Sequence, residues 1–199
     1  MKRVSVRING SLPLMQHKPT LLDPLHRITK EYKAISKKRG KTEEDYVTLY
    51  ELEFRAGIYY DEKLGVHVPQ ENLQACMRDA AKRTKNGANV ERCIYFDQPR
   101  YAVIYKGPRT VDQLWEDANF RIIKPVRNSG GGSCMRCRPV FNEWALEFAF
   151  LLDESILDLD VCRAFWKDAG VYQGLMEERP NFGRFSLVSF TDQEVDGAE

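Results

Sequence analysis

Four sets of residues in this 199-residue chain have types and spacings that can do chemistry. Cys134-x-x-Cys137 presents two thiols at the spacing of half a tetrahedral zinc site. The other half would have to come from Cys93, Cys162, His67 or His17, none of them paired at ligand spacing. The pair therefore reads as packing cysteines, and no metal or other cofactor is expected. His17 lies between Pro13 and Pro19, just after a strand-like start. A histidine that works as acid or base needs a positioned partner. The sequence names none, so His17 is a weak catalytic candidate and reads first as a solvated loop histidine. Between Asp117 and Glu143 there is no acidic residue, while Arg121, Lys124, Arg127, Arg136 and Arg138 are all basic. Cations on two adjacent strands can straddle a phosphate chain; the plainer alternative is a solvated basic hairpin. Finally, Ala169–Phe190 (AGVYQGLMEERPNFGRFSLVSF) sets Arg179 and Arg184 beside glycines 170, 174 and 183. Glycines let backbone N–H groups approach a phosphate, and arginines fork onto its oxygens. Glu177 and Glu178 can instead pair with those arginines across a tight turn. No Walker loop, GxSxG, HExxH or paired-carboxylate pattern is present.

The elements that must position these groups follow from periodicity and breakers. Lys2–Gly10 alternates Val4, Val6 and Ile8 with Arg3, Ser5 and Arg7, the pattern of a half-buried strand. Asp23-Pro24 predicts a helix start, the helix running to about Lys38. Thr42-Glu43-Glu44-Asp45 predicts a second helix, to about Gly57. A small hairpin turning at Gly65 and a third helix from Gln70 to about Lys85, ended by Gly87, come next. Strands are expected at 92–96 and 101–105, and a short helix near Leu114. A long hairpin over 119–141 has NSGGGS at its tip. Trp144, Leu146, Phe148, Phe150 and Leu152 mark the strongest core strand, followed by a helix over 159–169 and a last strand at 185–190. Phe120, Phe141, Tyr101 and Tyr105 can stack on bases or fill the core.

Bulk composition agrees with one domain spanning 1–199, with a helical insertion over about 23–90 and a fraying acidic tail over about 192–199. The 43% hydrophobic and 30% charged fractions are those of an ordinary globular chain. No apolar run approaches a membrane span, and MKRVSVRING lacks the apolar centre of a signal peptide. The expectation is a cytoplasmic protein with reduced cysteines and no membrane partner. The net charge of +1 hides a segregation: the first 140 residues carry 26 Lys+Arg against 16 Asp+Glu, the last 59 carry 4 against 13. Such segregation can build a basic face for nucleic acid.

The order of these elements resembles a ferredoxin-like βαββαβ unit with insertions. With a Gly-containing loop between the last helix and last strand, it resembles the RAMP superfamily of CRISPR-associated RNA-binding proteins. Pro13-Leu14-Met15-Gln16-His17, Arg138-Pro139-x-Phe141-x-x-Trp144 and the Ala169–Phe185 loop motif resemble a set of small phage and prophage proteins. The resemblance covers both ends of the chain but not 40–120. It implies an α+β, ferredoxin-like antiparallel sheet with a helical insertion and a protruding β-hairpin. It further implies a non-enzymatic protein that binds single-stranded RNA or DNA, with self-association along the strand or a host or phage protein as a further partner. If phage-encoded, it acts in the host cytoplasm. Arg121, Lys124, Arg127, Arg136 and Arg138 would hold phosphates, joined by Arg179 and Arg184. Leu175-Met176-Glu177-Glu178 departs from a fuller glycine loop. Two alternatives remain open: a metal-independent endoribonuclease using His17, or a factor that binds a host protein complex.

Overall fold

The computed structural model describes residues 1–127 and 130–194. In chain order its elements are β1 (Lys2–Gly10), β2 (Leu14–Met15), α1 (Arg27–Ser36), α2 (Glu43–Gly57), β3 (Tyr60–Asp61), β4 (Gly65–Pro69), α3 (Gln70–Ala81), α4 (Gly87–Cys93), β5 (Ile94–Phe96), β6 (Arg100–Ile104), α5 (Val111–Glu116), β7 (Arg121–Arg127), β8 (Ser133–Phe141), β9 (Ala145–Leu152), α6 (Leu159–Asp168) and β10 (Phe185–Glu194). They form two compact units. The first comprises residues 1–14, 61–106 and 142–199; the second, residues 15–60 and 107–141. The segment 23–90, anticipated as one helical insertion, is thus divided: its part up to Tyr60 is in the second unit, and α3 is in the first.

The first unit carries the ferredoxin-like core. Its sheet runs β10-β1-β9-β6-β4-β3, with β5 on β9 beside β6. β9 is antiparallel to β1, to β5 and to β6, and β10 is antiparallel to β1. The two halves are therefore β1–α3–β5/β6 and β9–α6–β10, interleaved so that β1 and β9 are central, which is the split βαβ arrangement. The alternation in the sequence explains it. Val4 faces Phe150, Val6 faces Phe148 and Ile8 faces Leu146 across β1 and β9, all buried. Trp166 of α6 covers them, its ring 4.8 Å from that of Phe148. Leu73 and Met77 of α3 are wholly buried as well.

The second unit is built on the sheet β2-β8-β7, β2 being where the chain passes between units. α2 starts on a reciprocal cap: Asp45 N–H donates to Thr42 Oγ1 and Thr42 N–H to Asp45 Oδ2. Phe54 of α2 packs on Trp115 of α5, and Phe120 on Phe141, with ring centroids 5.6 and 5.8 Å apart. Gly107, at φ 141°, leaves space that the Phe120 ring occupies.

Four boundaries differ from expectation, the first being the strand expected over 92–96, which begins at Ile94 because Arg92 and Cys93 complete α4. α1 begins at Arg27 under a His26 cap, because Asp23 closes a turn onto Leu25 N–H instead of opening the helix. Lys85 takes the left-handed reversal after α3 (φ 62°), so Gly87 opens α4 where it was expected to end α3. β10 continues through Glu194, with Asp192, Gln193 and Glu194 paired to Val4, Arg3 and Lys2, where fraying was expected from Asp192. The Lys2 ammonium lies 3.3 Å from the Asp192 carboxylate and 3.4 Å from that of Glu154. Residues 195–199 of that tail, and Asn128 and Ser129 at the hairpin tip, lie outside the described residues.

Candidate nucleic-acid interface

The hairpin register sorts its five cations by face. Ile122 opposes Arg138, Lys124 opposes Arg136, and Val126 opposes Cys134, so Lys124, Arg136 and Arg138 share one face. Arg121 and Arg127 lie on the other, opposite Pro139 and Ser133. The side chains are not equally available. Arg136 is held by Glu53 of α2 at 2.5 Å and by the Tyr32 hydroxyl of α1. Glu53 is 2% exposed and also accepts from Cys137 N–H at 2.8 Å. Arg136 is thus the cationic member of a buried network, its charge compensated inside the unit. Arg138 is 8% exposed and donates to Cys137 O at 3.1 Å. Arg121 donates to Trp115 O and lies over the Trp115 ring at 4.6 Å. Lys124 is half-buried, and Arg127 is exposed. The signal that could have separated these is the apolar content of the same strands: Ile122 and Val140 lie on the face that also carries Arg136 and Arg138, and those two cations follow them in.

Phe120, Phe141 and Tyr101 prove to be core residues. The Tyr101 hydroxyl lies 2.7 Å from Asp97 Oδ1 and 2.8 Å from Ala149 O. Burial, followed by the Asp97 carboxylate, pushes its pKa up.

Arg179 and Arg184 belong to the first unit, the hairpin cations to the second; each set is described in its own unit. After α6 the chain makes one π-helical turn, Ala169–Gln173. Gly174 and Gly183 follow with φ of 76° and 71°. The glycines serve the fold directly. A Cβ on Gly170 would strike Phe185, one on Gly174 would strike Phe182 O, and one on Gly183 would strike the Leu175 backbone. Their N–H groups are engaged: Gly174 N donates to Ala169 O at 2.9 Å and Gly183 N to Pro13 O at 2.7 Å. Leu175 N donates to Gly183 O at 2.8 Å. These three donors are turned inward, so they do not form a phosphate cradle. Of the arginines, Arg184 Nε donates to Pro180 O at 2.9 Å, and Arg179 lies 3.6 Å from Asp79.

The uncovered face of the first unit's sheet is polar and internally neutralised. β1 presents Arg3, Ser5, Arg7 and Asn9 there, and β9 presents Ala145, Glu147, Ala149 and Leu151. Arg3 is 2.7 Å from Asp97, and Arg7 is paired with Glu147. A shallow groove of about 320 Å³ runs between them, lined in part by Ser5 and Ser189. β1 and β9 bring no aromatic side chain to this face; β5 brings Tyr95, which opposes Leu151 and is 50% exposed.

His17 is half-buried between two pinned neighbours. Gln16 accepts from Tyr59 N–H at 2.8 Å, and Lys18 N–H donates to Gly57 O at 2.8 Å. Cys134 and Cys137 are three residues apart on a strand and so point to opposite faces, which prevents them from chelating one ion. Burial, then Glu53, pushes the Cys137 thiol up to about 12. Among the described residues no group of three or more His, Cys, Asp or Glu side chains is placed to hold a metal. No helix among them is long and apolar enough to cross a membrane.

Sequence reasoning did not assign the most available cations of the second unit. Lys30, Lys33 and Lys37 are all exposed on and just after α1. Their spacing of three and four places them in one row on the helix surface. Among the described residues none of the three has an acidic partner, nor has Arg39 or Arg127, whereas Arg27 and Lys38 pair with Glu31 and Asp45. The i, i+3, i+7 spacing was the available signal. The second unit as a whole carries 15 Lys+Arg against 10 Asp+Glu, and the first 15 against 19.

No family model matches the chain, and no curated protein matches it in sequence. Among solved structures, it is similar to a chain of the structure described as the Type III-B Cmr-beta bound to cognate target RNA. The TM-score is 0.51 at 12% sequence identity, over 96% of this chain. This chain spans 60% of the length of that one. At that identity the likeness is one of fold: an α+β, ferredoxin-like antiparallel sheet with helices.

Proposed function

We propose that this protein is a non-enzymatic, RAMP-like module of phage type that binds single-stranded RNA. The carrying observation is the set of exposed cations on the second unit that have no acidic partner among the described residues: Lys30, Lys33, Lys37, Arg39 and Arg127. A surface of this kind attracts phosphates through charge and counterion release, without base specificity. The ferredoxin-like sheet, similar to that of a chain solved in an RNA-bound Cmr complex, adds support and favours RNA over DNA. The same likeness supports operation within a larger assembly. The expected phosphate-holding set narrows to Lys124 and Arg127 on the hairpin, extended by the α1 row. Arg136 and Arg121 act by fixing the hairpin to its helices, Arg138 is buried on its own strand, and Arg184 and Arg179 act by fixing the C-terminal loop.

The test is fluorescence anisotropy with labelled single-stranded RNA and DNA at two salt concentrations. Affinity should fall steeply with salt, and each phosphate-contacting cation removed should lower the log–log slope by about 0.7. Lys30→Ala, Lys33→Ala and Lys37→Ala combined should therefore flatten it by about 2. Absence of binding at low salt would refute the proposal. A slope unchanged in the triple variant would remove the α1 row from the site.

A further inference from the structure

Within the first unit, the C-terminal end of α3 carries a second cation cluster. Lys82 Nζ is 2.8 Å from Asp79 Oδ1, Arg78 Nε 3.3 Å from the same oxygen, and Arg179 Nη2 3.6 Å from Asp79 Oδ2. Arg78 also reaches Glu91 at 3.1 Å. Arg78, Lys82, Lys85 and Glu91 line an open groove of about 480 Å³. Arg83, between Lys82 and Lys85 in the chain, has its guanidinium carbon 4.2 Å from the ring centroid of Tyr172, which is 51% exposed on the π-helical turn. Among the described residues neither Arg83 nor Lys85 has an acidic partner. Three cations thus pair with two carboxylates, with Lys85 beside them in the groove and the exposed Arg83–Tyr172 pair next to it in sequence.

Attraction to the carbonyl end of α3 accounts for Lys82. It does not account for a guanidinium placed over an exposed tyrosine at the very next residue, Arg83. Cation–π contact alone is weak at exposed sites, so exposing both partners has little stabilising value. A guanidinium plane backed by an aromatic ring is, however, a surface on which a nucleobase stacks, and cations beside it suit the adjoining phosphates. An acidic peptide would use the cations and leave the stack unused.

We propose that this end of α3 is a second contact for single-stranded RNA, in which Arg83 on Tyr172 carries one base while Lys82, Lys85 and Arg78 hold neighbouring phosphates. The inference rests on the RNA-binding reading above but concerns a different unit and a different chemistry, stacking in place of charge alone.

Anisotropy with three probes tests it: an oligouridylate, an abasic ribose–phosphate chain of equal length, and poly-glutamate. Tyr172→Ala should weaken oligouridylate binding about tenfold and leave the abasic chain nearly unaffected. Arg83→Ala should weaken both and lower the salt slope by about 0.7. Both side chains are exposed, so far-UV circular dichroism and melting should match the parent protein. If the parent protein does not bind oligouridylate at low salt, the functional reading fails and takes this inference with it. If it binds and Tyr172→Ala is silent, or weakens the two RNA-like chains equally, only the stacking site is overturned. Poly-glutamate binding that depends on Tyr172 as strongly as oligouridylate binding would overturn it in favour of an acidic peptide.

Discussion

Replacing Glu53 by alanine should destabilise the second unit more than any other single change to a charged residue there. Glu53 is 2% exposed, and its two oxygens take three donors: the Tyr32 hydroxyl at 2.9 Å, Arg136 Nη1 at 2.5 Å and Cys137 N–H at 2.8 Å. These come from α1 and β8, so one carboxylate on α2 ties three elements. Removing it strands the Arg136 charge and orphans a buried N–H. Breaking a buried pair costs about 3–5 kcal/mol, and an unsatisfied buried donor about 1–3 kcal/mol. Arg136 remains 30% exposed and keeps some hydration, which places the expected loss near 3–4 kcal/mol. Glu53→Gln should cost about half as much, since the amide oxygen still accepts from one donor. Urea unfolding read by hydrogen exchange of β8 amides is the suitable assay, because two units need not unfold together. A double-mutant cycle with Arg136→Ala should give a coupling of about 1–3 kcal/mol. The network also has a pH signature. Burial, then the Glu53 carboxylate, raises the Tyr32 hydroxyl to about 12. Its folded pKa lies above the unfolded value of about 10. The contribution is therefore complete below about pH 10 and is lost as pH rises from there toward 12. Glu53→Ala should shrink that alkaline loss. A cost below about 1 kcal/mol, or an additive cycle, would refute the reasoning.

Two further outcomes follow from local geometry. Gly183→Ala puts a Cβ at φ 71° against the Leu175 backbone, so it should cost at least about 2–3 kcal/mol and disorder the loop, read as a lower melting temperature and loss of protection at Leu175 N–H. Cys76, Cys93, Cys137 and Cys162 are buried, with thiol pKa values pushed upward chiefly by that burial. An aromatic disulfide reagent at pH 8 should therefore label Cys134 first, with the others following global unfolding; added zinc should leave the melting temperature unchanged, and a rise would contradict the strand geometry of the CxxC pair.

Much of the scaffold was legible because its signals are local. The period-two run of β1, the apolar file of β9, the Thr42 cap and the stripe of α6 each encode their element within a few residues. Their order already implied the interleaved sheet. The start of α1 was not legible, because Asp23 and His26 offer competing caps and only the turn at Thr20–Asp23 selects between them. Nor was the role of Gly87, since Lys85 takes a left-handed conformation that glycine would have been expected to supply.

For the candidate interface the division is sharper. Sequence alone determined which segments are basic, that the hairpin carries no acid, and that glycines crowd the last loop. It had no means to say which cations remain available. That depends on partners far away in the chain: Glu53 lies 83 residues from Arg136, and Asp79 pairs with Arg179 through the packing of α3 beside the loop. A charge exerts its field over several ångströms in space whatever its separation along the chain. Tertiary structure therefore turned Arg136 and Arg121 into fastenings, buried Arg138, left the α1 row and Arg127 to solvent, and set Arg83 over Tyr172.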